Sequence, residues 1–288
     1  GVPKRLCLSN GHHGAMPLKH EDAVAWFDRW LLDEREASLP EDEKRVACYF
    51  ETRAPGNQPQ SFGPPLLASE FPLPDTRWTR LYLRSGNRLD SAPPSAGESP
   101  DMYQVGAGDA PRGNERVHYL FEFGEATAVC GPIAVDLWAE LSTIDTDFFV
   151  LLADLAPGGK VFGLQRGLLR ASHRKLDESR SEFVDTDGGR RLLLRPFHPH
   201  DQAEPVPPRT PVEYHIEIPA VGHVFRPGHR LALVICRPPR GDPVGITRHG
   251  GPSYQYDSAP PEGTVTVRHD AEYASSVLLP VIPRQVSP

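Results

Sequence analysis

Residues Val212-Glu213-Tyr214-His215-Ile216-Glu217-Ile218 place Tyr214, Ile216 and Ile218 on one side of an extended chain and His215 and Glu217 on the other. A period of two marks a strand with one face in a core. Further on, Leu231-Ala232-Leu233-Val234-Ile235-Cys236 is apolar at every position, the pattern of a strand covered on both sides. Outward from this pair, similar short runs recur at residues 46–50, 79–83, 118–123, 133–141, 148–155, 192–195 and 265–267, separated by Pro, Gly, Asn and Asp. Many short strands with turn punctuation and little helix predict an antiparallel β-sandwich or jelly roll.

The 288 residues allow one large domain or two modest ones. With 39% hydrophobic residues and 25 glycines the composition is that of an ordinary globular chain, which excludes disorder. Proline is unusual at 32 residues, about twice the normal share. Proline avoids helix interiors and central strands, so turns and short strands are expected. The formal net charge of −7 gives no broad electrostatic footprint for nucleic acid or an anionic membrane. The longest apolar runs, 148–153 and 231–236, fall far short of the roughly 20 residues that span a bilayer. Gly1-Val2-Pro3-Lys4-Arg5 does not read as a signal peptide, so a cytoplasmic location is expected, with secretion of a longer precursor left open. Cys7, Cys48, Cys130 and Cys236 are widely spaced without C-x-x-C, and they read as buried free thiols, with disulfides the alternative.

One segment has helical spacing: within residues 21–32, Ala23, Phe27, Trp30 and Leu31, with Val24, recur at three- and four-residue intervals. It follows a short apolar run, Arg5-Leu6-Cys7-Leu8, and the turn-rich loop Ser9-Asn10-Gly11-His12-His13-Gly14. Strand, loop and helix in that order suggest a piece of α/β structure ahead of the β-rich part.

The order of motifs resembles the non-catalytic C-terminal domain of X-Pro dipeptidyl-peptidase and cocaine-esterase-like serine hydrolases. The matching residues are Phe123-Gly124, Val129-Cys130-Gly131-Pro132-Ile133, Ile144-Asp145-Thr146-Asp147-Phe148 and Gly167-Leu168-Leu169-Arg170-Ala171-Ser172-His173-Arg174. They continue through Pro196-Phe197, Val224-Phe225-Arg226-Pro227-Gly228-His229-Arg230-Leu231 and Leu278-Leu279-Pro280-Val281-Ile282-Pro283. The resemblance implies a galactose-binding-like jelly roll over residues 45–288. It also implies that residues 1–44 are a strand–loop–helix remnant of an α/β-hydrolase domain. The loop resembles the family's histidine loop, with His13 on the catalytic histidine, His12 as the alternative, and Ser9, Asn10 and Gly11 in place of the usual Gly-Pro-Trp. No G-x-S-x-G elbow occurs, so the nucleophile and orienting acid would belong to an upstream hydrolase domain or chain, acting on a small ester, amide or peptide substrate without a cofactor.

Three further expectations concern side chains. Asp145, Asp147 and Phe148 are candidates for the substrate pocket or its interface. Arg170 or Arg174, in or just after an apolar run, should pair with Asp145 or Asp147 once desolvated. His198 and His200, two apart and followed by Glu204, could hold a metal as cupins do, although Pro199 between them favours a solvated loop. A non-catalytic jelly roll that binds carbohydrate or a protein partner is the rival to the hydrolase reading, and the cupin-like metal enzyme is the third.

Overall fold

The computed structural model describes residues 4–10, 20–32, 44–51, 62–105, 114–185, 189, 191–237 and 261–283. The chain opens with strand β1 (Leu6–Leu8), helix α1 (His20–Leu31), and strands β2 (Val46–Cys48) and β3 (Leu66–Ala68). β1 runs parallel to β2, with Leu6 opposite Val46 and Leu8 opposite Cys48, and β3 adds antiparallel to β2. Parallel neighbours need a crossover, and α1 lies in it, so β1, α1 and β2 form a β-α-β unit. The helix matches the expected 21–32 to within one residue, with Glu21 and Asp22 in its first turn and Arg29 in its last, as the helix dipole favours.

The remaining strands are β4 (Arg77–Arg84), β5 (Arg88–Asp90), β6 (Asp101–Val105), β7 (Arg116–Glu122), β8 (Thr127–Leu141), β9 (Asp147–Leu155), β10 (Val161–Arg170), β11 (Glu182–Asp185), β12 (Arg191–Arg195), β13 (Val212–Phe225), β14 (Arg230–Cys236), β15 (Gly263–Arg268) and β16 (Ser276–Ile282). They are ordered β10-β9-β14-β7-β5-β4-β16-β8-β15-β6, with β13 on β8 and β11–β12 a separate hairpin. Apart from a single parallel bridge between β5 and β7, the pairings are antiparallel. The fold is mainly β, an antiparallel sandwich of the jelly-roll kind.

The core takes the inward residues of β8, β9, β13 and β14, among them Ile133, Leu137, Val150, Leu152, Leu231 and Leu233. Tyr214, Ile216 and Ile218 are buried as their alternation requires. β14 departs from the expected pattern: Leu231, Leu233 and Ile235 are buried, but Val234 and Cys236 on the other face are half-covered. Burial on both faces belongs instead to β9, where only Leu155 is not buried. A second apolar cluster joins Val46, Cys48, Phe50 and Ala68 to Ala128, Cys130, Val224 and Ile282, fastening the three-stranded sheet to the outside of the sandwich.

Candidate active-site junction

β1 hands the chain to the histidine loop through Ser9 and Asn10. Asn10 Oδ1 accepts a hydrogen bond of 3.2 Å from the Gly222 N–H of β13. Gly222 is glycine for a steric reason, because a Cβ there would lie 2.8 Å from the Tyr49 backbone oxygen. The loop therefore leaves the carboxyl end of a parallel strand, where open α/β sheets build their sites, with its root tied to the jelly roll. His12 and His13 themselves lie outside the described residues.

Beside Gly222, His223 Nε2 is hydrogen-bonded to Asp154 Oδ2 at 2.9 Å, and His229 Nδ1 to Asp154 Oδ1 at 2.9 Å. All three are buried. A carboxylate flanked by two imidazoles has both oxygens satisfied where an unpaired charge would be costly. The sequence held one signal for it, an aspartate inside the apolar run 148–155.

The Asp145–Asp147 region closes β10 onto β9. Arg170 faces Asp147 directly in register, with Nε 2.8 Å from Oδ1 and Nη2 3.1 Å from Oδ2, which is the expected buried ion pair. Burial pushes the Asp147 carboxyl above its ordinary range, with Arg170 opposing and Asp145 adding to the rise. Asp145 accepts from Ser172 N–H at 2.8 Å and Ser172 Oγ at 2.9 Å, and lies 3.6 Å from Arg170. Both carboxylates are thus committed inside the chain. Phe148, the candidate for the substrate pocket or its interface, is fully buried in this chain against Tyr214, ring centroids 4.6 Å apart. Its place on an inward-facing position of β9 is the reason.

The His198–His200–Glu204 set is not gathered on one point. His198 has Nδ1 3.0 Å from Lys175 O and Nε2 2.8 Å from His215 O, so carbonyl groups occupy both ring nitrogens. Glu204 lies toward Arg174, 3.9 Å away. Two rings lie near His200, His173 at 5.3 Å and His198 at 6.0 Å between centroids, and burial together with His173 and His198 pulls the His200 imidazole down.

Sequence reasoning missed a group on the polar face of β13. Among the described residues, Asp136, Glu213 and His215 bring candidate metal-ligand atoms within 4.8 Å of one another. His215 faces Asp136 across β8 and β13; its Nδ1 is 2.9 Å from Asp136 Oδ1 and its Nε2 3.8 Å from Glu213 Oε2. Arg80 Nη1 donates to the other Asp136 oxygen at 2.9 Å and to Ser276 Oγ at 2.7 Å. Burial pulls the His215 imidazole down, but its hydrogen bond to Asp136 and that residue's charge outweigh it and raise it. Burial also raises the Glu213 carboxyl. A guanidinium and an imidazole sharing one carboxylate form a charge-balanced network without any added ion. The alternation at residues 214–218 put His215 on this face, but its cross-strand partner was not visible in a linear sequence.

Residues 41–278 match the model of the X-Pro dipeptidyl-peptidase C-terminal non-catalytic domain. Two curated relatives, from Mycobacterium bovis (strain ATCC BAA-935 / AF2122/97) and Mycobacterium tuberculosis (strain CDC 1551 / Oshkosh), are provisionally named serine esterases. Each is 30% identical over 108 residues, 38% of this chain and 16% of the relative. Among solved structures, a CocE/NonD family hydrolase from Staphylococcus aureus superposes with a TM-score of 0.71 at 22% identity, covering 91% of this chain and 45% of its own. An aminopeptidase from the marine sediment archaeon Thaumarchaeota archaeon gives 0.63 at 19% identity, covering 90% and 43%. The chain thus spans less than half of the solved hydrolases it resembles. Taken with the sandwich, its order of strands and the match over most of the length, these findings mean that the chain belongs to the family of X-Pro dipeptidyl-peptidase C-terminal, non-catalytic domains.

Proposed function

We propose that the chain works as the C-terminal portion of a serine hydrolase that cleaves ester or amide bonds, acyl or X-Pro peptide, with His13 as the triad histidine and the jelly roll shaping the pocket. The observation that carries this reading is the β1-α1-β2 unit with Asn10 tied to Gly222, which sets the root of the His13 loop at the carboxyl end of a parallel strand. In that reading residues 1–44 are the hydrolase remnant and residues 45–288 the jelly roll, and the pairing of β1 with β2 gives them a shared sheet. An upstream α/β-hydrolase portion supplies the serine and the acid, and the substrate is a small ester, amide or peptide. His13 takes the serine proton as general base while the acid on its other nitrogen fixes the tautomer. Among the described residues no helix is long and apolar enough to cross a membrane; the four free cysteines support a reducing, cytoplasmic setting.

The test is a serine-reactive fluorophosphonate applied to this chain alone and to the chain joined to its upstream sequence. The joined protein should label and turn over substrate, whereas this chain should do neither. In the joined protein His13→Ala should cut kcat on the order of 10⁴-fold, because triad members act as a unit, and His12→Ala far less. Labelling of a serine within residues 1–288 would refute the reading, and a collapse confined to His12→Ala would move the base by one residue.

A further inference from the structure

Two thiols meet where the three-stranded sheet is fastened to the sandwich. Cys48 ends β2 and Cys130 lies in β8, both with no exposed surface. They belong to one apolar cluster, which also holds Val46, Phe50, Ala128 and Val224. The backbones approach closely there, because Cys130 is the register partner of Gly222, and the Tyr49 carbonyl, next to Cys48, sits on Gly222 where a side chain would stand. The two thiols thus lie in the same buried cluster, one on each side of this seam. Neither is used in the proposed chemistry.

We infer that Cys48 and Cys130 form a latent disulfide site, a two-thiol lock between the β-α-β unit and the jelly roll that closes on oxidation by a peroxide. The apolar packing explains why the pair stays reduced without an oxidant. The neighbouring Cys48 thiol foremost, with burial, pushes the Cys130 thiol far above its ordinary range, and only the thiolate reacts. Closure therefore waits for a brief opening between β2 and β8, and hydrogen peroxide is small enough to use it. One thiolate attacks a peroxide oxygen, the O–O bond breaks, and with a proton the products are a sulfenic acid and water. The second thiolate then attacks the sulfenic sulfur, forms the S–S bond of about 2.05 Å and releases the hydroxyl as a second water. Two thiols and one peroxide thus give one disulfide and two waters, the sulfurs losing the two electrons that the peroxide gains. The bond would close a loop of about 80 residues, a long span for constraining the unfolded chain.

The test uses the full chain, incubated with hydrogen peroxide in sub-denaturing urea, alkylated, digested without reductant and read by mass spectrometry. The expected product is a Cys48–Cys130 crosslinked peptide at the expense of both alkylated thiols, formed equally well in Cys7→Ser and absent in Cys48→Ser and Cys130→Ser. Oxidised wild-type protein should also melt several degrees higher than reduced protein, a gain reversed by dithiothreitol. Recovery of Cys48 and Cys130 only as alkylated thiols after prolonged oxidation would overturn the inference. So would a dominant crosslink through Cys7 or Cys236, both partly exposed. The wild-type product decides the matter even where a serine variant folds poorly.

Discussion

Arg170 and Asp147 show how a single pair fixes a local structure. They face each other at the end of β10 and the start of β9, with side chains only 10% and 5% exposed, so the two charges stand in for the water each has lost. Asp145 extends the pair by holding the backbone and hydroxyl of Ser172, tying the turn after β10 to the loop that leads into β9. Asp147→Ala should therefore destabilise the domain by about 3–5 kcal/mol, since it removes the carboxylate that meets the buried guanidinium through two hydrogen bonds and leaves the more distant Asp145, 3.6 Å away, in its place. A paired apolar replacement, Asp147→Leu with Arg170→Met, should recover most of that loss. Urea midpoints of the three proteins check this, and equal losses for the single and double variants would mean the pair is not the cause. The arginine's need for a partner was legible in the sequence because arginine inside an apolar strand has few other ways to be stable. The burial of Phe148 was not, because a linear pattern does not say which face of a doubly covered strand meets the core.

At the scale of elements, proline shows where strand rules bend. β8, β13 and β16 are neighbours, yet contain Pro132, Pro219 and Pro280. The register of β13 on β8 shifts between Ile218 and Val221, and that of β16 on β8 between Leu278 and Val281. Each break spans a proline, where a missing N–H leaves no ladder position empty. Gly131 next to them has φ +146° and a Cβ position 3.0 Å from Pro280. The prolines thus mark a line of bulges across the sheet. Strand rules alone therefore passed over β16, which only the family motif at Leu278–Pro283 flagged, and the sequence reading stopped β13 at Ile218. β10 lies close over β13 at Gly167, where a Cβ would sit 2.3 Å from the Glu217 carbonyl oxygen. Gly167→Ala should cost about 1–3 kcal/mol through that backbone clash, seen as a lower unfolding midpoint, and an unchanged midpoint would mean the two strands can part freely.

A second device at this scale links β4 to the loop before β6. Glu98 is bound by the Arg84 guanidinium at 2.6 Å and accepts from the Ser85 and Ser95 backbone N–H groups, each at 3.0 Å. Arg84 foremost, with those donors, holds its carboxyl down at about 2 against the opposing effect of burial. A carboxylate held below its unfolded value contributes stability that is fully present above about pH 4.5 and is lost as pH falls toward 2. The stability gap between wild type and Glu98→Gln should therefore be largest near neutral pH and shrink steadily from pH 5 to pH 2. A gap independent of pH over that window would show that the glutamate acts through shape alone.

For the whole molecule, the informative feature is where apolar surface remains in water. On α1, Val24, Phe27, Trp30, Leu31 and Leu32 close by are 42%, 56%, 48%, 74% and 66% exposed, and the helix has no buried residue. The apolar stripe is the one that the three- and four-residue spacing predicts. Within the described residues Trp26 of α1 lies with its ring 5.9 Å from the guanidinium of Arg5, the residue before β1. A contiguous apolar patch on a helix asks for a cover, and in the proposed enzyme the upstream α/β portion is that cover. Phe27→Lys with Leu31→Lys should then leave this chain's own unfolding midpoint nearly unchanged, since those side chains bury little in it, and should reduce any self-association seen by light scattering. In the joined hydrolase the same two substitutions should lower the melting temperature of the α/β portion and reduce kcat/KM by loosening the seat of the His13 loop. If the joined protein tolerates both lysines with full activity and unchanged melting, the helix face is not where the two portions meet.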